Sequence, residues 1–205
     1  MKLKVCGMRD PKNIEALEDI QPDYMGFIFW SQSARYVDNE TPKLPKSIKK
    51  TGVFVDASLD YIETTIENHQ LQTVQLHGNE NPAYCKIIRS MNMEVIKAFS
   101  IKEKFDFEIL EPYLPYCDYF LFDTKGELPG GNGYTFEWTL LQNYPYSTPF
   151  FLSGGIGLEH LAQLQTFIKN NLPLHALDVN SKFELKPGIK NIEKIKQFKK
   201  ELYEL

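Results

Sequence analysis

Strand-like and helix-like stretches take turns along the whole chain, and that alternation is the tightest constraint on its fold. Apolar runs of strand length occur at Leu3–Cys6, Tyr24–Phe29, Thr51–Val55, Thr73–Leu76, Glu94–Phe99, Tyr119–Phe122, Pro149–Leu152 and Leu174–Val179. Between most of them lie segments with apolar residues at helical spacing: Ile14–Ile20; Leu59, Ile62 and Ile66; Ala83–Met91; Phe105–Leu114; Phe136–Leu141; Leu158, Leu161, Leu164 and Ile168. Ile189, Ile192, Ile195, Phe198 and Leu202 give a closing helix its apolar stripe. Thr41–Lys50 carries Pro42 and Pro45, which lack backbone donors and leave room only for a short or irregular helix. Strands joined through helices predict a parallel sheet covered by helices. Eight such units can close into a ring, whereas an open doubly wound sheet usually has fewer strands and one glycine cluster after the first. Here the glycines gather late, after the sixth, seventh and eighth strands. The expected fold class is therefore α/β, a (β/α)₈ TIM barrel, compact at 205 residues where about 250 is typical.

No break in composition, repeat or low-complexity run divides the chain, so residues 1–205 read as one domain. A net charge of −4 argues against a nucleic-acid-binding or polybasic membrane surface, while leaving room for a local cationic site. Cys6, Cys85 and Cys117 are far apart and show no metal-ligand spacing, which suggests a reducing compartment rather than a disulfide framework. The N-terminus is polar again by Arg9, and no apolar run approaches the roughly 18 residues that span a bilayer. A cytoplasmic location is expected.

In such a barrel the C-terminal ends of the strands carry the chemistry. Read in order they are Cys6, Phe29–Trp30, Asp56, His77, Ser100, Asp123, Ser153–Gly155 and Asp178–Ser181. Asp10-Pro11 supplies a side-chain cap and a donor-free first residue for a helix, so Cys6-Gly7 falls where the first strand ends. A free cysteine there is either a small buried hydrophobe or a reactive group beside a glycine that admits close approach. Asp123 follows the apolar run Tyr119–Phe122, and low-dielectric walls raise a carboxyl toward values useful for a general acid; read structurally, it caps the next loop. Asp178 occupies a similar position and is a candidate for holding a neighbour or a substrate by hydrogen bonds.

Ser153-Gly154-Gly155-Ile156-Gly157 exposes backbone N–H groups where the seventh strand opens into a helix, and Asn180-Ser181-Lys182 follows the eighth. Together these two loops form the usual phosphate site of such barrels. Arg35 is a candidate fork for a carboxylate, against the plainer reading of a solvated charge. The loop Gly126–Tyr134 is long and glycine-rich, as loops that fold over a substrate often are. His77 is open as a catalytic residue, with hydrogen bonding to loop backbone the plainer reading; His69, His160 and His175 fall at helix ends or in a strand, and Cys85 and Cys117 read as buried packing.

Seven ordered segments resemble the phosphoribosylanthranilate isomerase family of tryptophan biosynthesis. They are KVCGMRD at 4–10, GFIFWSQSARY at 26–36, GVFVD at 52–56, VQLHG at 74–78, FDTKGELPGGNGYTFEW at 122–138, LSGGI at 152–156 and LDVNSKFELKPGIKN at 177–191. The resemblance implies a barrel without cofactor or metal that performs an Amadori rearrangement of N-(5-phosphoribosyl)anthranilate. It implies Asp123 as general acid, Cys6 as general base, Arg35 on the anthranilate carboxylate, and Gly154, Gly155, Ser181 and Lys182 on the phosphate. The partner would be a small phosphorylated substrate, with monomer and homodimer both open. One departure stands out: Lys182 occupies a position where the family typically has glycine. The rival readings are the histidine-pathway isomerase, which has aspartate where Cys6 stands here, and a catalytically silent phosphometabolite-binding barrel.

Overall fold

The computed structural model describes residues 1–101, 104–124 and 138–204, and in it eight strands hydrogen-bond side by side into a closed ring. They are β1 (Lys2–Val5), β2 (Tyr24–Ile28), β3 (Lys49–Phe54), β4 (Thr73–Leu76), β5 (Glu94–Ile101), β6 (Tyr119–Thr124), β7 (Phe150–Ser153) and β8 (Leu174–Val179). Neighbours are parallel throughout, and the ring closes where β8 meets β1, with Lys4 opposite Asp178 and Val5 opposite Val179. This is the expected TIM barrel.

Successive side chains on a strand face opposite ways, so each strand feeds two cores. Leu3 and Val5 of β1 join the layer between strands and helices, together with residues such as Leu17, Leu76, Ile88, Leu164 and Phe198. The other parity fills the lumen with Tyr24, Ile96, Ala98, Leu121, Phe151 and Ala176. Burying one such large side chain contributes roughly 1.5–3 kcal/mol. Nearer the mouth the inward positions turn polar: Lys4, Gln75, Asp123 and Asp178 are all buried.

The α-helices start where the sequence supplies caps. In α1 (Pro11–Glu18) the Asp10 carboxylate accepts from Asn13 N at 2.9 Å, and Pro11 takes the first turn. Ser58 caps α2 (Leu59–His69), Asn81 caps α3 (Pro82–Ser90) and Asn191 caps α5 (Ile192–Tyr203); α4 is Leu161–Ile168. Among the described residues, the expected one-to-one alternation is interrupted in three places. Residues 29–48 hold no α-helix, so the short helix expected over Thr41–Lys50 is absent and β3 begins inside it; the Lys50 ammonium instead donates to the Pro42 carbonyl at 2.9 Å. After β5 the connection is a 3₁₀ segment, Phe107–Tyr113, with Pro112 inside it, and a second 3₁₀ segment, Trp138–Asn143, precedes β7. The glycine-rich stretch Gly126–Tyr134 lies outside the described residues.

Ile189 also departs from expectation. It belongs to an antiparallel hairpin, β9 (Glu184–Lys186) and β10 (Ile189–Lys190), that turns at Gly188 with φ of 81°. Such a φ is open to glycine at little cost. Among the described residues, no helix is long and apolar enough to cross a membrane.

Candidate active site

Cys6 follows β1 directly, its N–H bonded to the Val179 carbonyl at 2.9 Å. Its thiol lies over Gly26, where a Cβ would come within 2.8 Å of Sγ, so only glycine leaves the sulfur its place. Two residues earlier on the same face, Lys4 is fully buried and donates to Asp178 Oδ2 at 2.9 Å and to Gln75 Oε1 at 2.7 Å. Burial pushes the Cys6 thiol up; the Lys4 and Lys190 ammoniums pull it down, the Asp178 carboxylate pushes it up again, and the net direction is upward. Asp178 is raised mainly by its own burial, with Lys4 opposing. The Asp178 Oδ1 atom is buried with no hydrogen-bond partner among the described residues. A buried carboxylate oxygen in that state is costly, and donors from a bound molecule would relieve it.

Asp123, near the end of β6, faces His77 across the mouth, His77 Nε2 standing 3.4 Å from Asp123 Oδ2. The other ring nitrogen of His77 meets the Gln75 side-chain amide at 2.8 Å. The expectation that the His77 ring bonds loop backbone is thus corrected, because β4 turns it inward beside Gln75, two residues before it.

Arg35 does form a fork, and in this structure the fork holds a protein carboxylate. Its Nε and Nη2 donate to Glu184 Oε1 and Oε2 at 2.8 and 2.5 Å, leaving Nη1 unbonded among the described residues. Glu184 also accepts from Lys190 Nζ at 2.7 Å and Gly188 N at 3.0 Å. Burial alone would raise the Glu184 carboxyl, but the Arg35 and Lys190 bonds outweigh it and bring it down to about 2. Gly7, with φ of 77°, lets this cluster approach the Cys6 turn: a Cβ there would come within 2.7 Å of Arg35 Cδ and 2.8 Å of Asn180 Oδ1.

The loop after β7 has Gly154 and Gly155 at φ of 101° and 65°, and nothing lies within 4 Å of where a Gly155 Cβ would stand. Gly157 N donates to His160 Nδ1 at 3.0 Å, and the Glu159 carboxylate folds back over Gly157. Ser181 and Lys182 open a 3₁₀ turn, Ser181–Phe183, anchored by buried Phe183 against Phe198. The Lys182 ammonium reaches Glu159 Oε1 at 3.1 Å. The lysine singled out in the sequence thus meets a carboxylate from the segment that follows β7.

The remaining expected positions are simple. Cys85 and Cys117 are buried, His69 ends α2, and His175 lies in β8 at the opposite end of the barrel, its Nε2 2.9 Å from the Tyr24 hydroxyl. Among the described residues, no group of three His, Cys, Asp or Glu side chains is arranged to hold a metal ion. Lys4, Gln75, Glu184 and Lys190 went unnoticed in the sequence. A signal was available for the first: a lysine two residues before a strand-end cysteine shares its face, and a buried lysine needs a buried acceptor.

The sequence pattern of the N-(5'-phosphoribosyl)anthranilate (PRA) isomerase family matches residues 3–201. A Phocaeicola vulgatus protein named N-(5'-phosphoribosyl)anthranilate isomerase is 43% identical over 191 residues, covering 93% of this chain and 92% of its own. Among solved structures, phosphoribosyl anthranilate isomerase from Thermotoga maritima superposes with a TM-score of 0.81 at 30% identity over 100% of both chains. Another phosphoribosyl anthranilate isomerase, in complex with reduced 1-(o-carboxyphenylamino)-1-deoxyribulose 5-phosphate, has a TM-score of 0.78 at 27% identity, again over 100% of both.

Proposed function

The chain belongs to the N-(5'-phosphoribosyl)anthranilate isomerase family, and from that premise we propose that Asp123 and Cys6 are the acid and base of its Amadori rearrangement. It is an isomerase of tryptophan biosynthesis that turns an aldose into a ketose. Asp123 gives its proton to the ribose ring oxygen, the ring C–O bond breaks, and the nitrogen lone pair forms an iminium. Cys6 then removes the C2′ proton, the electrons of that bond neutralise the iminium, and the enolamine tautomerises to the ketone. Atoms are conserved, since only protons change place.

What supports this reading is that both residues stand at strand ends of one barrel mouth, within a family match that runs almost end to end. The base must work as thiolate, although burial holds the free thiol up. The iminium's positive charge, added to the Lys4 and Lys190 ammoniums, favours the ionised sulfur at the step that needs it. Arg35 offers its Nη1 edge to the anthranilate carboxylate, with Glu184 holding the guanidinium plane. Asp178 Oδ1 accepts from the sugar. The phosphate rests on backbone N–H groups of Gly154, Gly155, Ser181 and Lys182, with the enzyme acting as monomer or homodimer.

A fluorescence assay with purified protein tests the assignment. Loss of phosphoribosylanthranilate signal with saturable kinetics is expected. Turnover of the histidine-pathway aminoaldose alone would overturn it in favour of the sister isomerase, and turnover of neither would leave a binding barrel.

A further inference from the structure

Beneath the mouth, four polar side chains form a directional line across the lumen. Lys4 is pinned by Asp178, its register partner on β8, and donates onward to Gln75 Oε1 at 2.7 Å. An ammonium has donors only, so the Gln75 oxygen must be the atom that faces Lys4. The NH₂ of the same amide is then the group 2.8 Å from His77 Nδ1, and Nδ1 must accept. A neutral ring so placed carries its hydrogen on Nε2, the nitrogen 3.4 Å from Asp123 Oδ2.

The backbone around His77 is fixed as well. Its N–H bonds the Phe54 carbonyl at 2.8 Å, while buried Lys97 donates to the Gly78 carbonyl at 2.8 Å and pairs with Glu80 at 3.2 Å. Glu80 in turn accepts from Gly78 N at 3.0 Å. With the backbone held, rotation of the ring out of line would give up its contacts to Gln75 and Asp123.

We propose that Lys4 and Gln75 lock His77 as the Nε2–H tautomer, and that the locked His77 is a positioning residue for Asp123. The second half rests on the reading of Asp123 as general acid. A neutral Nε2–H standing 3.4 Å from the carboxyl orients it and stabilises the carboxylate that remains once the proton has left. A hydrogen on Nδ1 would face the Gln75 NH₂ donor to donor, so the Nδ1–H tautomer is disfavoured.

The test uses full-length protein labelled with ¹⁵N-histidine, the His77 signals being assigned by their loss in His77→Gln. The expected wild-type spectrum at neutral pH has an unprotonated Nδ1 and a protonated Nε2. A protonated Nδ1 in wild type overturns the lock, and this outcome needs no other variant to fold. Gln75→Glu places an acceptor opposite Nδ1 while keeping one for Lys4. There Nδ1 should carry a hydrogen, kcat should fall by about 10²-fold, the lower end of what a proton-transfer group contributes, and KM should stay nearly unchanged. Unchanged ring signals in Gln75→Glu, whatever kcat does, overturn the lock. A ring that changes form while kcat holds overturns the positioning of Asp123. Failure of the acid assignment is seen separately, as Asp123→Asn retaining full kcat with the tautomer intact.

Discussion

The two ends of the barrel use the same strands and the same inward parity, yet carry opposite chemistry. At the floor, Tyr24, Tyr119 and Phe151 meet edge to face, with ring centroids 5.1 Å apart for Tyr24–Phe151 and 5.4 Å for Tyr119–Phe151. Of the polar groups there, the Tyr24 hydroxyl meets His175 and Lys49 pairs with Glu94 at 2.5 Å, while the buried, uncharged Thr51 hydroxyl has no partner among the described residues. At the mouth the same faces hold Lys4, Asp178, His77 and Asp123, and one buried Asp178 oxygen has no protein partner. The floor is packed for stability. The mouth retains charge in a low-dielectric setting, where a proton-transfer group gains most from fixed neighbours.

Substitutions at either end should therefore separate activity from stability. The largest effect is expected at the mouth: Cys6→Ala and Asp123→Asn should each lower kcat by about 10²–10⁴ with little change in melting temperature. Near-full kcat in Cys6→Ala would assign the base to another group. Next comes the floor, where Phe151→Ala should cost roughly 3–5 kcal/mol in denaturant unfolding while the folded protein keeps its kcat. A loss of kcat in that folded variant would erase the division between the ends. Arg35→Lys keeps charge but loses the planar fork, so KM should rise about tenfold, as for weakening one charge-assisted hydrogen bond. Steady-state kinetics with Arg35→Ala alongside would show whether the fork touches substrate at all.

A smaller effect sharpens the comparison from below. Burial, with Lys2 and Lys49 adding to it, brings His175 down to about 4 from an ordinary 6.5. Between those two values the unfolded chain binds a proton that the folded chain refuses, so stability falls as pH drops through that window and is unaffected by this ring above it. His175→Gln should flatten the melting-temperature profile between pH 6.5 and 4 without touching kcat, and parallel profiles would refute the point. The smallest change is expected for Lys182→Met, since its exposed ammonium already faces Glu159. Its KM should match wild type; a salt-sensitive rise would give the ammonium a place on the phosphate.

The strand positions were legible because each is a short apolar run between turn residues, and Thr73–Leu76 and Leu174–Val179 match residue for residue. The connections were less so. Pro112 and the Pro42–Pro45 pair signal poor α-helix, but no local rule says whether a 3₁₀ segment or an irregular loop replaces it. At the site, Cys6, Asp123 and Asp178 were visible as strand ends. Their neighbours were not, because Lys4–Gln75 and Arg35–Glu184 join residues 71 and 149 positions apart. Hydrophobic periodicity carries no record of such pairings. Ile189 misled for a related reason: its spacing fits the α5 stripe, while Gly188 sends it into a hairpin first.

That hairpin has a consequence for the order of events in the life of the chain. Lys190 N and O bond the Asn13 side chain at 2.7 and 3.0 Å, and Lys4 bonds Asp178, so residues 174 to 177 positions apart meet at one seam. A ribosome that has released the first six strands has exposed both Cys6 and Asp123, yet neither Asp178 nor the Arg35 partner Glu184 exists. The seam joins segments made far apart in time, and such distant contacts form slowly. A nascent chain that has not yet added β8 and the β9–β10 hairpin therefore lacks the carboxylates that hold Lys4 and Arg35 at the mouth.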